Sequence, residues 1–206
     1  MNYLIASDIF GQTSELNDFI EQLALPFPVK VVNPYQSIDP LIAIPEFTGE
    51  SQAYQYFTEH VGLDRYTDLV KNSIDAIDGP VTLIGFSVGA SAIWRLSQIY
   101  GADKVVGALG FYSSQIRHYL SIVSNFPFHL IFPNHEASFD VQQVMNLLSK
   151  NNNVTCGQLP YLHGFMNKRS ANFNKKGYDQ TLAKLKQLLV GKTIEQNAFS
   201  RLCSWA

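Results

Sequence analysis

Three residues far apart in the chain have the chemistry that covalent hydrolysis needs. Ser87 stands in "GFSVG" (85–89), which matches G-x-S-x-G. In that pattern a strand turns sharply into a helix with the serine at a strained apex. The flanking glycines let backbones approach closely, the hydroxyl stays exposed above the sheet, and the following N–H is free to bind an oxyanion. A tight structural turn without chemistry is the alternative. Context favours the functional elbow, because strand-like "PVTLIGF" precedes the serine and "VGASAIWRLSQIY", with small residues for close helix-sheet packing, follows it. A serine hydroxyl is a weak nucleophile near neutral pH, so it needs a base and a group that orients the base. With this elbow the chain order is serine, then acid, then histidine. Of five histidines, His163 in "LPYLHGF" (159–165) follows the last two strand-like runs, and a loop there returns over the sheet's carboxyl edge. His60, His118, His129 and His135 are read as ordinary loop or core residues. The acid belongs to "HLIFPNHEASFDVQQVMNLL" (129–148), where two carboxylates qualify. Asp140 directly precedes a helical run and is explained by N-capping alone. Glu136, four residues past the strand-like run, is therefore the preferred third member.

Such a set needs a scaffold that brings these segments to one edge. Short apolar runs recur at 3–7, 29–33, 81–86, 105–111, 128–132 and 154–159, each bounded by turn residues. Between them apolar residues fall at helical spacing: Leu16, Phe19, Ile20 and Leu23; Tyr66, Leu69, Val70, Ile74 and Ile77; Ile93, Leu96 and Ile99. Strand-helix alternation of this kind predicts an α/β fold in three layers, a mainly parallel sheet of about six strands with helices on both faces. A last amphipathic segment, 178–189, covers a remaining face of the sheet. The stretch 34–63 has three prolines and no sustained period before about residue 51. It leaves the carboxyl end of a strand, where open α/β sheets bind ligands, and reads either as a pocket wall or lid, or as a surface excursion.

Bulk properties narrow the class. With 206 residues, 46% hydrophobic, 16% charged and a net charge of −2, the chain is expected to form one domain over its whole length, and nothing basic points to nucleic acid. No signal-peptide pattern or membrane-length apolar run is visible, so a soluble cytoplasmic protein without membrane partners is expected. Cys156 and Cys203 fit neither a disulfide framework nor a metal site and read as free thiols, with no metal or cofactor implied. The tail 193–206 reads as a short amphipathic helix that caps the domain or joins a partner subunit.

The chain resembles the dienelactone hydrolase family of α/β-hydrolases, in a serine-nucleophile form. "SDIFGQTSELNDFIEQLA" (7–24) is similar to that family's "EIFG" segment, "GFSVGA" to its elbow, "FPNHEASFDV" to its acid loop and "YLHGFMN" (161–167) to its His-Gly-Phe segment. The resemblance implies Ser87 as nucleophile, His163 as general base and Glu136 at the acid position. It implies backbone N–H groups of Ile9 and Val88 as the oxyanion hole. Phe10 and Tyr112 would line the substrate pocket, although core packing accounts for either aromatic equally simply. Arg117 and Arg95 are the candidates for gripping a substrate carboxylate, against the alternative of solvated helix side chains. Founding members use cysteine, and their acid loop carries Gly-x-x-Asp where this chain has "FPNHE". The chain also starts directly at the strand leading to the oxyanion loop, which would omit the fold's opening strands. The activity so implied is cleavage of carboxylic esters, lactones or thioesters through an acyl-enzyme. The alternatives are a catalytically silent scaffold that binds a small molecule or a protein, and acyl transfer to an acceptor other than water.

Overall fold

The apolar runs do become strands. The computed structural model of the protein describes residues 2–38 and 44–190. Its strands are Asn2–Ala6 (β1), Val29–Val32 (β2), Val81–Phe86 (β3), Val105–Phe111 (β4), Phe128–Phe132 (β5) and Val154–Gln158 (β6). They form one sheet in the order β2-β1-β3-β4-β5-β6, with every neighbouring pair parallel. The helices are Ser14–Leu23 (α1), Glu50–His60 (α2), Gly62–Asp75 (α3), Val88–Leu96 (α4), Val141–Leu148 (α5) and Lys175–Val190 (α6).

Alternation along the strands divides the core into two. On β1, Leu4 and Ala6 face a cluster shared with Val70 and Ile74 of α3, Ala92 and Leu96 of α4, and Val141 and Val144 of α5. Tyr3 and Ile5 join the other cluster, with Phe19 and Leu23 of α1 and Leu182, Leu185 and Leu189 of α6. Because both faces are covered, every residue of β3 and of β5 is buried, which is why these strands read as continuous apolar runs rather than alternating ones. Helix starts follow local capping: Thr13 Oγ1 accepts the Leu16 N–H at 3.2 Å and Asp140 Oδ1 accepts the Gln143 N–H at 2.9 Å.

One expected packing position does not hold. Ile99 lies beyond the end of α4 and is 55% exposed. The helix stops at Leu96, and the Ile99 N–H then closes a tight turn onto the Leu96 carbonyl at 2.9 Å, which aims the side chain outward. No strand precedes β1 among the described residues. Cys203 and the tail 193–206 lie outside them, as do residues 39–43 of the 34–63 stretch. Among the described residues, no helix is long and apolar enough to cross a membrane.

The topology also selects where a ligand can sit. From β1 the chain crosses through α1 to β2 on one side, then returns through α2 and α3 on the opposite face to β3 on the other side. The loops leaving β1 and β3 therefore part, and a crevice opens at their carboxyl ends.

Candidate active site

Ser87 caps this crevice. Its backbone has φ 52° and ψ −112°, a left-handed conformation that a side-chain-bearing residue adopts only under constraint. The constraint is visible: the Ser87 N–H donates to the Phe111 carbonyl at 2.9 Å, tying the apex to β4. The two glycines of the motif have a steric reason. A Cβ on Gly85 would lie 2.6 Å from Ala90 Cα, and one on Gly89 would lie 2.3 Å from the Ala6 carbonyl oxygen. Only glycine lets α4 start so close to β1 and β3. Farther along α4, Ser91 Oγ donates to the Ser87 carbonyl at 3.0 Å and accepts the Gln115 N–H at 3.0 Å, so the helix also anchors the loop after β4.

The structure brings His163 and Glu136 to this serine. Ser87 Oγ lies 3.0 Å from His163 Nε2, and His163 Nδ1 lies 2.7 Å from Glu136 Oε1. An ionised carboxylate can only accept, so the ring proton sits on Nδ1 and Nε2 presents its lone pair to the serine hydroxyl. Glu136 is 9% exposed, shielded within a local bridge to Phe139. The histidine is held from behind by Asn172, whose Nδ2 donates to the His163 carbonyl at 2.9 Å, and from the side by the Tyr112 ring at 4.9 Å. Asp140, the other carboxylate of this loop, is turned to the first turn of α5 as its cap.

The loop after β1 forms the facing wall. Asp8 is buried and organises it: its Oδ1 accepts the Phe10 N–H at 3.0 Å, its carbonyl accepts the Gly11 N–H at 3.1 Å, and its Oδ2 accepts from Asn167 Nδ2 at 2.6 Å. Burial raises its pKa above the ordinary aspartate value, although hydrogen bonds from Asn167 and Phe10 and the proximity of His163 work against that shift. The Tyr66 hydroxyl sits 2.9 Å from the carbonyls of both Ser7 and Val32, and the Tyr35 hydroxyl donates to the Ile9 carbonyl. The Ile9 N–H shares its planar peptide with the Asp8 carbonyl, which is held by the Gly11 N–H at 3.1 Å and by Ser7 Oγ at 3.2 Å. Val88 is the first residue of α4, so its N–H has no intrahelical acceptor.

Between these walls lies a cleft of about 290 Å³ lined by Ser87, His163, Ile9, Phe10 and Tyr112. Phe10 is at once a cleft wall and part of the core. Tyr112, with φ 39°, is buried behind the cleft surface. The 34–63 stretch contributes Glu50, Ser51 and Tyr54, all from the first turns of α2, so this part of it is a pocket wall. Arg117 and Arg95 do not line the cleft. Arg117 donates to the Ser114 carbonyl, and Arg95 spans to Asp64 at 2.6 Å and lies over the Tyr119 ring at 4.9 Å. Arg95 is engaged by α3, whereas Arg117 is bonded to the backbone of Ser114, a residue that does line the cleft. Sequence reasoning missed Ser170 and Asn172, reached Glu50 and Tyr54 only as unnamed members of the 34–63 stretch, and saw Asp8 only as the neighbour of a backbone donor. None carries a motif signal of its own, since each acquires its position from a contact across the fold. Among the described residues, no group of three or more His, Cys, Asp or Glu side chains stands close enough to hold a metal ion.

The fold recurs among known proteins. No family model matches the chain. It is 35% identical over 140 residues, 66% of this chain and 68% of the relative, to the uncharacterized protein YczH of Bacillus subtilis strain 168. Among solved structures, it is similar to a dienelactone hydrolase-like promiscuous phosphotriesterase from metagenomic libraries (TM-score 0.62, 10% identity, covering 92% of this chain and 85% of that one). It is similar also to mouse alpha/beta hydrolase domain-containing protein 10 (TM-score 0.61, 9% identity, 93% and 90% covered). A third is Est1E from Butyrivibrio proteoclasticus (TM-score 0.58, 8% identity, 92% and 86% covered). At these identities the likeness establishes the α/β-hydrolase fold.

Proposed function

We propose that this chain, which belongs to the family of the Bacillus subtilis protein YczH, is a serine hydrolase that cleaves carboxylic esters, lactones or thioesters through an acyl-enzyme. The observation that carries the reading is the unbroken relay from Ser87 Oγ to His163 Nε2 at 3.0 Å and from His163 Nδ1 to Glu136 Oε1 at 2.7 Å. In this reading Ser87 Oγ attacks the carbonyl carbon while its proton passes to His163 Nε2, and Glu136 stabilises the resulting imidazolium. The N–H groups of Ile9 and Val88 hold the oxyanion. Removing one such donor typically costs about 10²–10³ in rate, which is why the bonds that hold the Asp8–Ile9 peptide matter. The tetrahedral intermediate collapses, the alcohol or thiol leaves with the proton from His163, and the acyl group stays on Ser87. Water, deprotonated by the same nitrogen, then attacks the acyl-enzyme and releases the acid, returning the proton to the serine.

The same relay favours turnover over a binding-only scaffold, for which neither an aligned imidazole nor a strained serine is needed. Likeness to dienelactone hydrolases supports the ester chemistry. The serine in place of cysteine, the glutamate in place of aspartate and a cleft lined by neither Arg117 nor Arg95 argue against a carboxylate-bearing dienelactone as substrate. The test is labelling by a fluorophosphonate probe together with hydrolysis of short-chain p-nitrophenyl esters. Both should vanish in Ser87→Ala with the fold intact by circular dichroism. Labelling or turnover that survives the substitution removes Ser87 from the mechanism.

A further inference from the structure

The charge and chemistry of the cleft wall opposite the serine narrow the substrate class. Glu50, at the start of α2, lines the cleft together with the aromatic residues Phe10, Tyr54 and Tyr112. Its carboxylate is held by uncharged donors: Ser170 Oγ donates to Oε1 at 2.5 Å and the Ala171 N–H donates to the same oxygen at 2.9 Å. Burial acts to raise its pKa. Hydrogen bonds from Ser170, from its own backbone and from Ala171, with the nearby His163, outweigh burial and hold it below the ordinary glutamate value. Glu50 is thus an anion at neutral pH.

Among the described residues, no lysine or arginine lines the cleft. The cations nearest in sequence to those residues already have partners. Arg169 Nη2 donates to the Phe47 carbonyl at 3.3 Å and lies 3.8 Å from Glu46, and Arg117 donates to the Ser114 carbonyl. Lys168 lies 3.6 Å from Asp18 and over the Tyr178 ring at 5.6 Å. An anionic ester would therefore meet Glu50 with no lysine or arginine among the described cleft residues to compensate. A cationic one meets a carboxylate and the Tyr54 ring, the two kinds of group that together bind ammonium ions. Tyr54 is 46% exposed, so its ring is open to such a ligand.

We propose that the cleft selects esters or thioesters bearing a positive charge, a protonated or quaternary amine, and that Glu50 is the residue that reads this charge. For the reaction itself this rests on the serine-hydrolase reading. The charge selection has its own readout.

Two isosteric pairs test it. Acetylcholine against 3,3-dimethylbutyl acetate carries the charge on the alcohol, and a glycine ester against the matching propionate ester carries it on the acyl group. After each ratio is divided by the ratio of the two esters' hydroxide-catalysed rates, which removes the intrinsic activation by the ammonium group, a preference in kcat/KM for the cation of about tenfold in at least one pair is expected for a carboxylate acting across a half-solvated cleft. In Glu50→Gln, which keeps the acceptor oxygen for Ser170 and Ala171, the ratio should fall toward one. The ratio cancels any loss of activity common to both esters. A ratio at or below one in both pairs for the wild type, or a preference that Glu50→Gln leaves intact, overturns the proposal. A wild-type ratio at or below one in both pairs overturns the proposal whether or not the variant folds. If no ester is turned over, the serine reading has failed instead. Binding of tetramethylammonium by titration calorimetry, present in the wild type and lost in Glu50→Gln, then reports charge selection separately, and its absence in the wild type overturns it.

Discussion

Glu136 and Asp140 lie four residues apart on one loop, and the structure gives them opposite duties, so exchanging their charges for neutral groups should produce crossed effects. Glu136→Gln keeps the size of the side chain and an oxygen within reach of His163 Nδ1, now at 2.7 Å from Oε1, but removes the negative charge. With charge centres roughly 4 Å apart and an effective dielectric of about 20, the lost stabilisation of the imidazolium is about 4 kcal/mol, close to a factor of 10³ in rate. The amide can also donate to Nδ1 and fix the wrong tautomer, leaving an N–H in place of the lone pair that faces Ser87. An asparagine in place of the corresponding triad aspartate costs about 10⁴ for that reason. A fall in kcat/KM of about 10³–10⁴ is therefore expected. Asp140→Ala removes only the bond from the Gln143 N–H to Oδ1 at 2.9 Å, and should lower stability by about 1 kcal/mol while kcat/KM is unchanged. The assay pairs p-nitrophenyl acetate kinetics with urea unfolding for each variant. Activity lost in Asp140→Ala and kept in Glu136→Gln would refute the assignment of the two carboxylates and the electrostatic reasoning with it.

Two further outcomes follow from packing and burial. Gly89→Ala drives a methyl to 2.3 Å from the Ala6 carbonyl oxygen and 2.5 Å from that of Ser7, both backbone atoms. The cost should reach at least the roughly 1–3 kcal/mol of ordinary overpacking, read as a lower urea midpoint, and fluorophosphonate labelling should weaken because the strand leading to Ile9 must move. A wild-type midpoint would mean that α4 does not sit this close to β1. His129 is 1% exposed in β5, with Nδ1 2.6 Å from Thr155 Oγ1, and burial lowers its pKa from 6.5 to about 4. Between those two values the unfolded chain binds a proton that the folded one refuses, so stability is full above pH 6.5 and is lost as pH falls toward 4. The loss is as much as about 3 kcal/mol at 1.36 kcal/mol per pKa unit. His129→Gln should flatten urea midpoints across that window relative to wild type, and equal slopes for the two proteins would count against the buried neutral imidazole.

The strands and the elbow were legible in the sequence because their signals are local. A parallel strand covered on both faces must be apolar at nearly every position, as in "VTLIGF", and the glycines beside Ser87 are demanded by backbone contacts that any helix packed this closely would make. Chain order then brought His163 over the sheet's edge, since the right-handed crossovers of a parallel sheet leave its carboxyl ends on one side. The directions of loop side chains were not legible. Capping already set Asp140 apart from Glu136 in the sequence, but the approach of Glu136 to a ring 27 residues away is made by the fold. Glu50 and Tyr54 reach the cleft because α2 is clasped by Ser170 and Ala171 from more than a hundred residues downstream, a contact with no trace in either local segment. Arg117, placed near the site by position, is drawn to a carbonyl three residues back. Periodicity and backbone sterics are written in neighbouring residues, whereas the aim of a polar side chain is set by whichever partner the tertiary fold brings within hydrogen-bond reach.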